Sequence, residues 1–267
     1  MTSDTQLDLS VIMIVHNEES NLEDCLNALP QGCELIIVDS GSKDNTLQIA
    51  TDFGAKVLER KFTNYGDQKN FALQHATRKW VLSLDADERC SSTLQQWLET
   101  YCLKNRQKNQ PHSNTLYQVQ RHLIFMGKRM RFGGCSDKPL RFFPNHPQIK
   151  FQGEVHESIP RTSMNIATLP GYIAHYSYKD WSEYLHKFNL YTSLSANKRS
   201  TYNPKVAPLS IIVHALRPWI EFVKRYFLKL GFLDGYAGYS YALVSSMYAF
   251  MKYAKLRELY EKAKKPA

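Results

Sequence analysis

Four short strand-like runs constrain this chain more than any other feature, because helical patterns alternate with them. They are Leu9–Val15, Leu35–Val38, Lys56–Glu59 and Trp80–Leu84. Leu9–Val15 is almost continuously apolar, as expected of a strand covered on both faces. Between the runs, Asn17 is placed to cap a helix that stops at Pro30. Asp44 opens a second helix, which Gly54 closes. Asn64-Tyr65-Gly66 turns the chain into a third, from Asp67 to Ala76. Strands and helices alternating through short connections predict an α/β fold. The sheet should be Rossmann-like and mostly parallel, with helices on both faces and right-handed crossovers. Ligands in such sheets bind outside the carboxyl ends of the strands. His16-Asn17, Asp39-Ser40 and Asp85-Ala86-Asp87 all fall there.

The acidic cluster is the most chemically specific of the three. Asp85 and Asp87 cannot both be buried unpaired, since desolvating each anion costs several kcal/mol. A divalent cation would resolve that cost, and carboxylate oxygens suit Mg²⁺ or Mn²⁺. The competing interpretation is a helix N-terminus, where acids complement the dipole. Asp39 can accept hydrogen bonds from a base or ribose, or can simply form a turn. The glycine pattern of dinucleotide sites and the P-loop pattern are both absent from the sequence. Phosphates would instead depend on a metal at Asp85 and Asp87, with Lys69, Arg131 or Arg141 assisting.

Beyond the fourth strand, Ser92 to Lys108 reads as a helix. Residues 116–143 shift toward strand periodicity, with a hairpin turn at Phe125–Lys128 and a close approach at Gly133-Gly134. A further strand is expected near Tyr172–Tyr178. The last third is helical, and it holds the whole charge imbalance. Residues 179–267 contain 15 Lys/Arg and 6 Asp/Glu, whereas residues 1–178 contain 19 of each. Residues 1–178 are thus one expected domain and 179–267 a basic appendage, cut into pieces by Pro208 and Pro218. Trp219, Phe222, Val223, Tyr226, Phe227 and Leu230 share one helix face. That face either packs on the core or lies in a membrane interface, and the basic charge favours anionic lipid. The aromatic stripe faces away from the bases, which argues against nucleic acid. Tyr236–Met251 is too short to span a bilayer. Five cysteines without C-x-x-C spacing suit a reducing, cytoplasmic setting.

Several segments, taken in order, resemble family-2 glycosyltransferases of the GT-A fold. The resemblance is strongest to lipopolysaccharide-core inner-heptose β-1,4-glucosyltransferases. The segments are Ser10–Glu19, Val38–Thr46, Gly66–Leu73, Trp80–Arg89, Gly133-Gly134 with Leu140–Phe143, Val155-His156-Glu157, His175–Tyr178 and Leu230–Gly235. The resemblance implies transfer of a sugar from a nucleoside-diphosphate sugar, UDP-glucose foremost, to a lipid-linked glycan with inversion. Val15, Asn17, Glu18, Asp39, Lys69, Asp85 and Arg141 would bind the donor. Asp87 and His156 would hold the metal. Asp137 or Glu157 would be the general base, with Asp137 favoured. Cys135-Ser136 and Lys138-Pro139 depart from the family's usual residues around that base. The enzyme would sit peripherally on the cytoplasmic face of the inner membrane, and the C-terminal region could alternatively support a homo-oligomer. Two other functions are compatible with such a sheet. One is a nucleotidyltransferase that makes nucleotide sugars, although no glycine-rich basic loop follows the first strand. The other is a non-catalytic nucleotide-sugar-binding protein.

Overall fold

The computed structural model describes residues 6–105, 114–153, 158–160, 164–202 and 211–264. They divide into two compact units: Met1–Arg121 with Asp137–His175, and His122–Ser136 with Tyr176–Ala267. The hairpin at 122–136 therefore groups with the C-terminal helices.

The first unit is an α/β sheet. In chain order the strands are β1 (Leu9–Val15), β2 (Glu34–Asp39), β3 (Lys56–Glu59), β4 (Trp80–Ser83), β5 (Glu88–Cys90), β6 (Thr115–Phe125), which continues into the second unit, β7 (Lys128–Arg129), which belongs to the second unit, β8 (Ser136–Asp137), where the chain returns to the first, β9 (Leu140–Pro144) and β10 (Asn165–His175). The sheet order is β3-β2-β1-β4-β9-β6-β10-β5. The first four strands are parallel. β9 then runs antiparallel to β4 and β6, and β10 antiparallel to β5, so the sheet is mixed.

The strand period of two explains why helices cover both faces. Leu9, Val11, Met13 and Val15 of β1 join one core cluster, and Ile12 joins the other. Ile37 of β2 likewise faces the first cluster, while Ile36 and Val38 face the second. Helices α1 (Glu19–Asn27), α2 (Thr46–Asp52) and α4 (Ser92–Asn105) supply Leu22, Cys25, Ala50, Leu94 and Leu98 to the first cluster. Helix α3 (Tyr65–Gln74) supplies Ala72 to the second.

Local differences from the sequence expectations have physical causes. Helix α1 begins at Glu19 and Asn17 does not cap it. Asn17 adopts a left-handed φ of 55°, and its Oδ1 accepts the Lys43 N–H instead. Helix α3 starts two residues early because Asn64 caps it, accepting the Asp67 N–H at 2.8 Å. β10 lies N-terminal to the expected position, at Asn165–His175.

The second unit contains helices α5 (Trp181–Tyr202), α6 (Ile211–Val223) and α7 (Gly235–Lys264). A π-helical turn at Lys224–Leu228 and a 3₁₀ turn at Gly231–Asp234 join α6 to α7. Pro218 lies inside α6 rather than breaking it. A proline removes one helical hydrogen bond but need not end the helix when neighbours hold it. Pro208 lies outside the described residues. Leu123, Phe125, Met130, Tyr184, Ala237 and Val244 form this unit's core. At Gly238 an added Cβ would sit 1.8 Å from the Gly231 carbonyl oxygen. Backbone cannot yield there as a side chain could. Gly238→Ala is therefore expected to cost about 3 kcal/mol, read from the midpoint of urea unfolding.

Candidate active site

The site begins where β4 leaves the sheet. No helix starts there. The Glu88 N–H donates to the Asp85 carbonyl at 3.0 Å, and the Asp85 N–H donates to Glu88 Oε2 at 3.1 Å. This reciprocal pair closes a four-residue turn and excludes the helix-terminus interpretation of the acids.

The two aspartates occupy different environments. Asp85 Oδ1 accepts Lys69 Nζ at 2.8 Å, and Oδ2 accepts Arg141 Nη2 at 2.8 Å. Burial alone would push the Asp85 carboxyl up, but the Arg141 and Lys69 charges hold it well below the usual carboxylate range. Both cations are themselves buried. Arg141 also donates to Glu88 Oε1 at 2.5 Å, and Arg121 Nη1 reaches the same oxygen at 2.9 Å. Glu88 is fully buried. Two guanidiniums thus supply the compensation that a buried carboxylate requires. Lys69 and Arg141, expected on the donor, are engaged on Asp85.

Asp87 projects from the same turn, with about a quarter of its side chain exposed, and its Oδ2 lies 3.2 Å from His175 Nε2. The antiparallel register explains the contact, because β10 places His175 opposite Glu88 of β5. One carboxylate and one imidazole, partly open, suit a borderline-hard divalent ion that takes its remaining ligands from phosphate oxygens. Among the described residues no group of three His, Cys, Asp or Glu is arranged to hold a metal alone. His156 lies outside the described residues, as does Glu157.

The carboxyl ends of β1 and β2 form a cleft of about 460 Å³. Val15, His16, Glu18 and Ser40 line it, together with Phe62 and Tyr65. The last two rings meet edge-on at 5.1 Å. Asp39 is buried beneath this rim. Its Oδ2 accepts the Gly41 and Ser42 N–H groups at 2.7 and 2.9 Å, and its Oδ1 accepts the Ser42 hydroxyl. Asp39 therefore builds the turn. Asn17 ties this turn to the end of β1, its N–H donating to Ser42 Oγ at 2.9 Å.

Asp137 lies on β8, and both its oxygens face Arg121. Nε donates to Oδ1 at 2.9 Å and Nη2 to Oδ2 at 2.7 Å. Arg131 sits in the second unit, where its N–H donates to Asp234 Oδ2 at 3.0 Å. His175, Glu88, Arg121, Phe62 and Tyr65 escaped sequence reasoning as site residues. Glu88 carried a signal, as an acid directly after Asp87, and so did His175, as the first residue of the His175–Tyr178 segment. The others depend on strand register and loop placement.

A mixed α/β sheet with an acidic turn and a cleft on one rim supports many chemistries, and comparison with known proteins narrows them. An uncharacterized glycosyltransferase of Rickettsia typhi is 28% identical over 262 residues, covering 94% of this chain and 87% of its own. The lipopolysaccharide core biosynthesis glycosyltransferase LpsC of Rhizobium meliloti is 27% identical over 264 residues, covering 94% and 92%. Among solved structures, S. aureus TarS 1-349 is similar at a TM-score of 0.46 and 15% identity, covering 97% of this chain and 93% of that one. The protein is a glycosyltransferase. Residues 10–135 match the model of glycosyl transferase family 2.

Proposed function

We propose that this glycosyltransferase moves a sugar, glucose first, from a nucleoside-diphosphate donor such as UDP-glucose to a hydroxyl of a lipid-linked glycan. The transfer inverts the anomeric carbon, and the acceptor is of the lipopolysaccharide-core kind. The observation that carries this reading is the separation of Asp85, clamped by two cations, from Asp87, which is partly open beside His175. The similarity to LpsC, a lipopolysaccharide core biosynthesis glycosyltransferase, supports the acceptor class.

In this reading Asp85 is a rigid acceptor for donor hydroxyls, because Lys69 and Arg141 remove its freedom to turn. Val15, Glu18, Ser40, Phe62 and Tyr65 enclose the nucleotide end. Asp87 with His175, and His156 as the resemblance implies, would hold Mg²⁺ or Mn²⁺. A bound ion would supply positive charge at the departing diphosphate. The acceptor hydroxyl must lose a proton as it attacks. Asp137 or Glu157 takes it. Both Asp137 oxygens lie on Arg121, so Asp137 reaches an acceptor hydroxyl only when substrate draws it away from that guanidinium. Asp137→Asn and Glu157→Gln separate the two. The true base loses kcat by about 10²-fold or more while donor affinity persists.

The function is tested by thermal melts with nucleotide sugars, with and without Mn²⁺, followed by UDP release. At about 100-fold excess over Kd, a bound donor stabilises by about 2.7 kcal/mol. If no nucleotide sugar shifts the melt, the proposal fails. If a donor binds but UDP is never released, the non-catalytic alternative holds.

A further inference from the structure

A surface of the second unit carries none of the site residues described above. Between Leu216 and Tyr239, Trp219, Ile220, Phe227, Leu228, Leu233 and Tyr236 are each more than half exposed, with Leu228 at 75% and Tyr236 at 80%. Soluble surfaces scatter such residues singly, and a concentration of them marks an interaction site. Ring contacts make the surface continuous. Tyr226 lies 5.3 Å from Phe222, 5.0 Å from Phe227, 6.2 Å from Phe232 and 5.9 Å from Tyr239, which links the end of α6, the connecting turns and the start of α7.

This segment is held rigidly, so its exposure is not slack packing. Asp234 is buried and its Oδ2 accepts the Arg131 and Phe132 N–H groups at 3.0 and 2.9 Å. Lys128 Nζ donates to the Asp234 carbonyl at 2.5 Å. Leu230 takes a left-handed φ of 56°, and Gly231 and Gly238 meet too closely for any side chain. The inner face is thus spent on Asp234, Gly231, Ala237 and Gly238, all buried. The apolar side chains have nowhere inward to go. The Leu230–Gly235 motif is the lock that points them outward.

Charge selects the occupant. Arg217, Lys224 and Lys229 are exposed on the same stretch. The acid nearest them, Glu221, is shared between two bases, its Oε1 2.7 Å from Arg225 Nε and its Oε2 3.7 Å from Lys224 Nζ, so the stretch keeps a net positive charge. Residues 179–267 carry the chain's entire excess of nine positive charges. A second copy would bring that charge against itself, whereas an anionic bilayer complements it. Trp and Tyr at the edge of an apolar face suit the headgroup boundary. Among the described residues no helix is long and apolar enough to cross a membrane. We propose that the Leu216–Tyr239 surface docks on anionic phospholipid bilayers. Its apolar side chains enter the interface, and Arg217, Lys224 and Lys229 rest on the headgroups. The inference gives the lipid-linked acceptor of the proposed function a place to meet the enzyme. It rests on that reading only for its purpose, since the binding itself needs no catalysis.

The test is co-sedimentation of the full chain with phosphatidylcholine vesicles, with and without phosphatidylglycerol. Binding is expected only with phosphatidylglycerol, and it should weaken as salt rises. Leu228→Ser with Leu233→Ser is expected to reduce partitioning about tenfold or more. Lys224→Gln with Lys229→Gln should reduce it as well. Circular-dichroism melts confirm folding, and UDP release from UDP-glucose without acceptor should be unchanged. The proposal is overturned by no vesicle binding, by binding that ignores these substitutions, or by a wild-type dimer that the leucine variant dissociates. Vesicle binding without donor turnover would instead count against the proposed function and leave the docking surface standing.

Discussion

Asp87→Asn is expected to lower sugar-transfer turnover by about 10³-fold or more while leaving the fold intact. The substitution keeps the shape of the side chain and removes its charge. Asp87 is about a quarter exposed, and it is not enclosed in the buried cluster around Glu88. The melt without ligands should therefore stay within about 0.5 kcal/mol of the parent. The extra stabilisation that Mn²⁺ gives in the presence of UDP should vanish. Asp85→Asn should behave differently. It leaves Lys69 and Arg141, both buried, without a counter-charge on that side, so it should lose stability together with turnover. Retained turnover and retained Mn²⁺ stabilisation in Asp87→Asn would remove the metal role from this residue.

The parallel half of the sheet was legible because its rule is local. β1 occupies Leu9–Val15 as its apolar run predicts, and the run is continuous because side chains on both faces enter cores. The acidic turn was legible as a rim feature from strand order alone. Its inner structure was not. That Glu88 shares Arg141 with Asp85 depends on β9 lying beside β4, a pairing of residues about 60 apart in sequence. His175 is hidden for the same reason. It opens the His175–Tyr178 segment at a strand end, but only the β5–β10 register brings it to Asp87. Asp39 shows the reverse. Its two weighed roles, base contact and turn former, look identical in sequence, and the structure displays the turn. In the C-terminal third, helical periodicity found the aromatic face. It could not show that Asp234 and two close-packed glycines commit that face outward.

Arg141→Met is expected to destabilise the protein by about 3–5 kcal/mol, the usual cost of removing one partner from a buried ion cluster. Met fills much of the volume, so the loss is mainly of charge and not of packing. Without the guanidinium, Asp85 retains Lys69, and the fully buried Glu88 retains only Arg121 among the ion pairs described. The cluster is not optimised for stability in any case, since Arg141 Nε is buried without a hydrogen-bond partner among the described residues. Its value is then positional. Arg141 fixes Asp85 and Glu88 together, and through them the turn that aims Asp87. This separates two consequences. Arg141→Met with Glu88→Gln removes one charge of each sign, and should recover at least about 1 kcal/mol of the single variant's loss in urea unfolding. The double variant should not recover turnover, because the Gln cannot rebuild the Asp85 clamp. Recovery of both together would mean that Arg141 serves stability alone. A single-variant loss below about 1 kcal/mol would mean that the cluster is solvated and exchangeable.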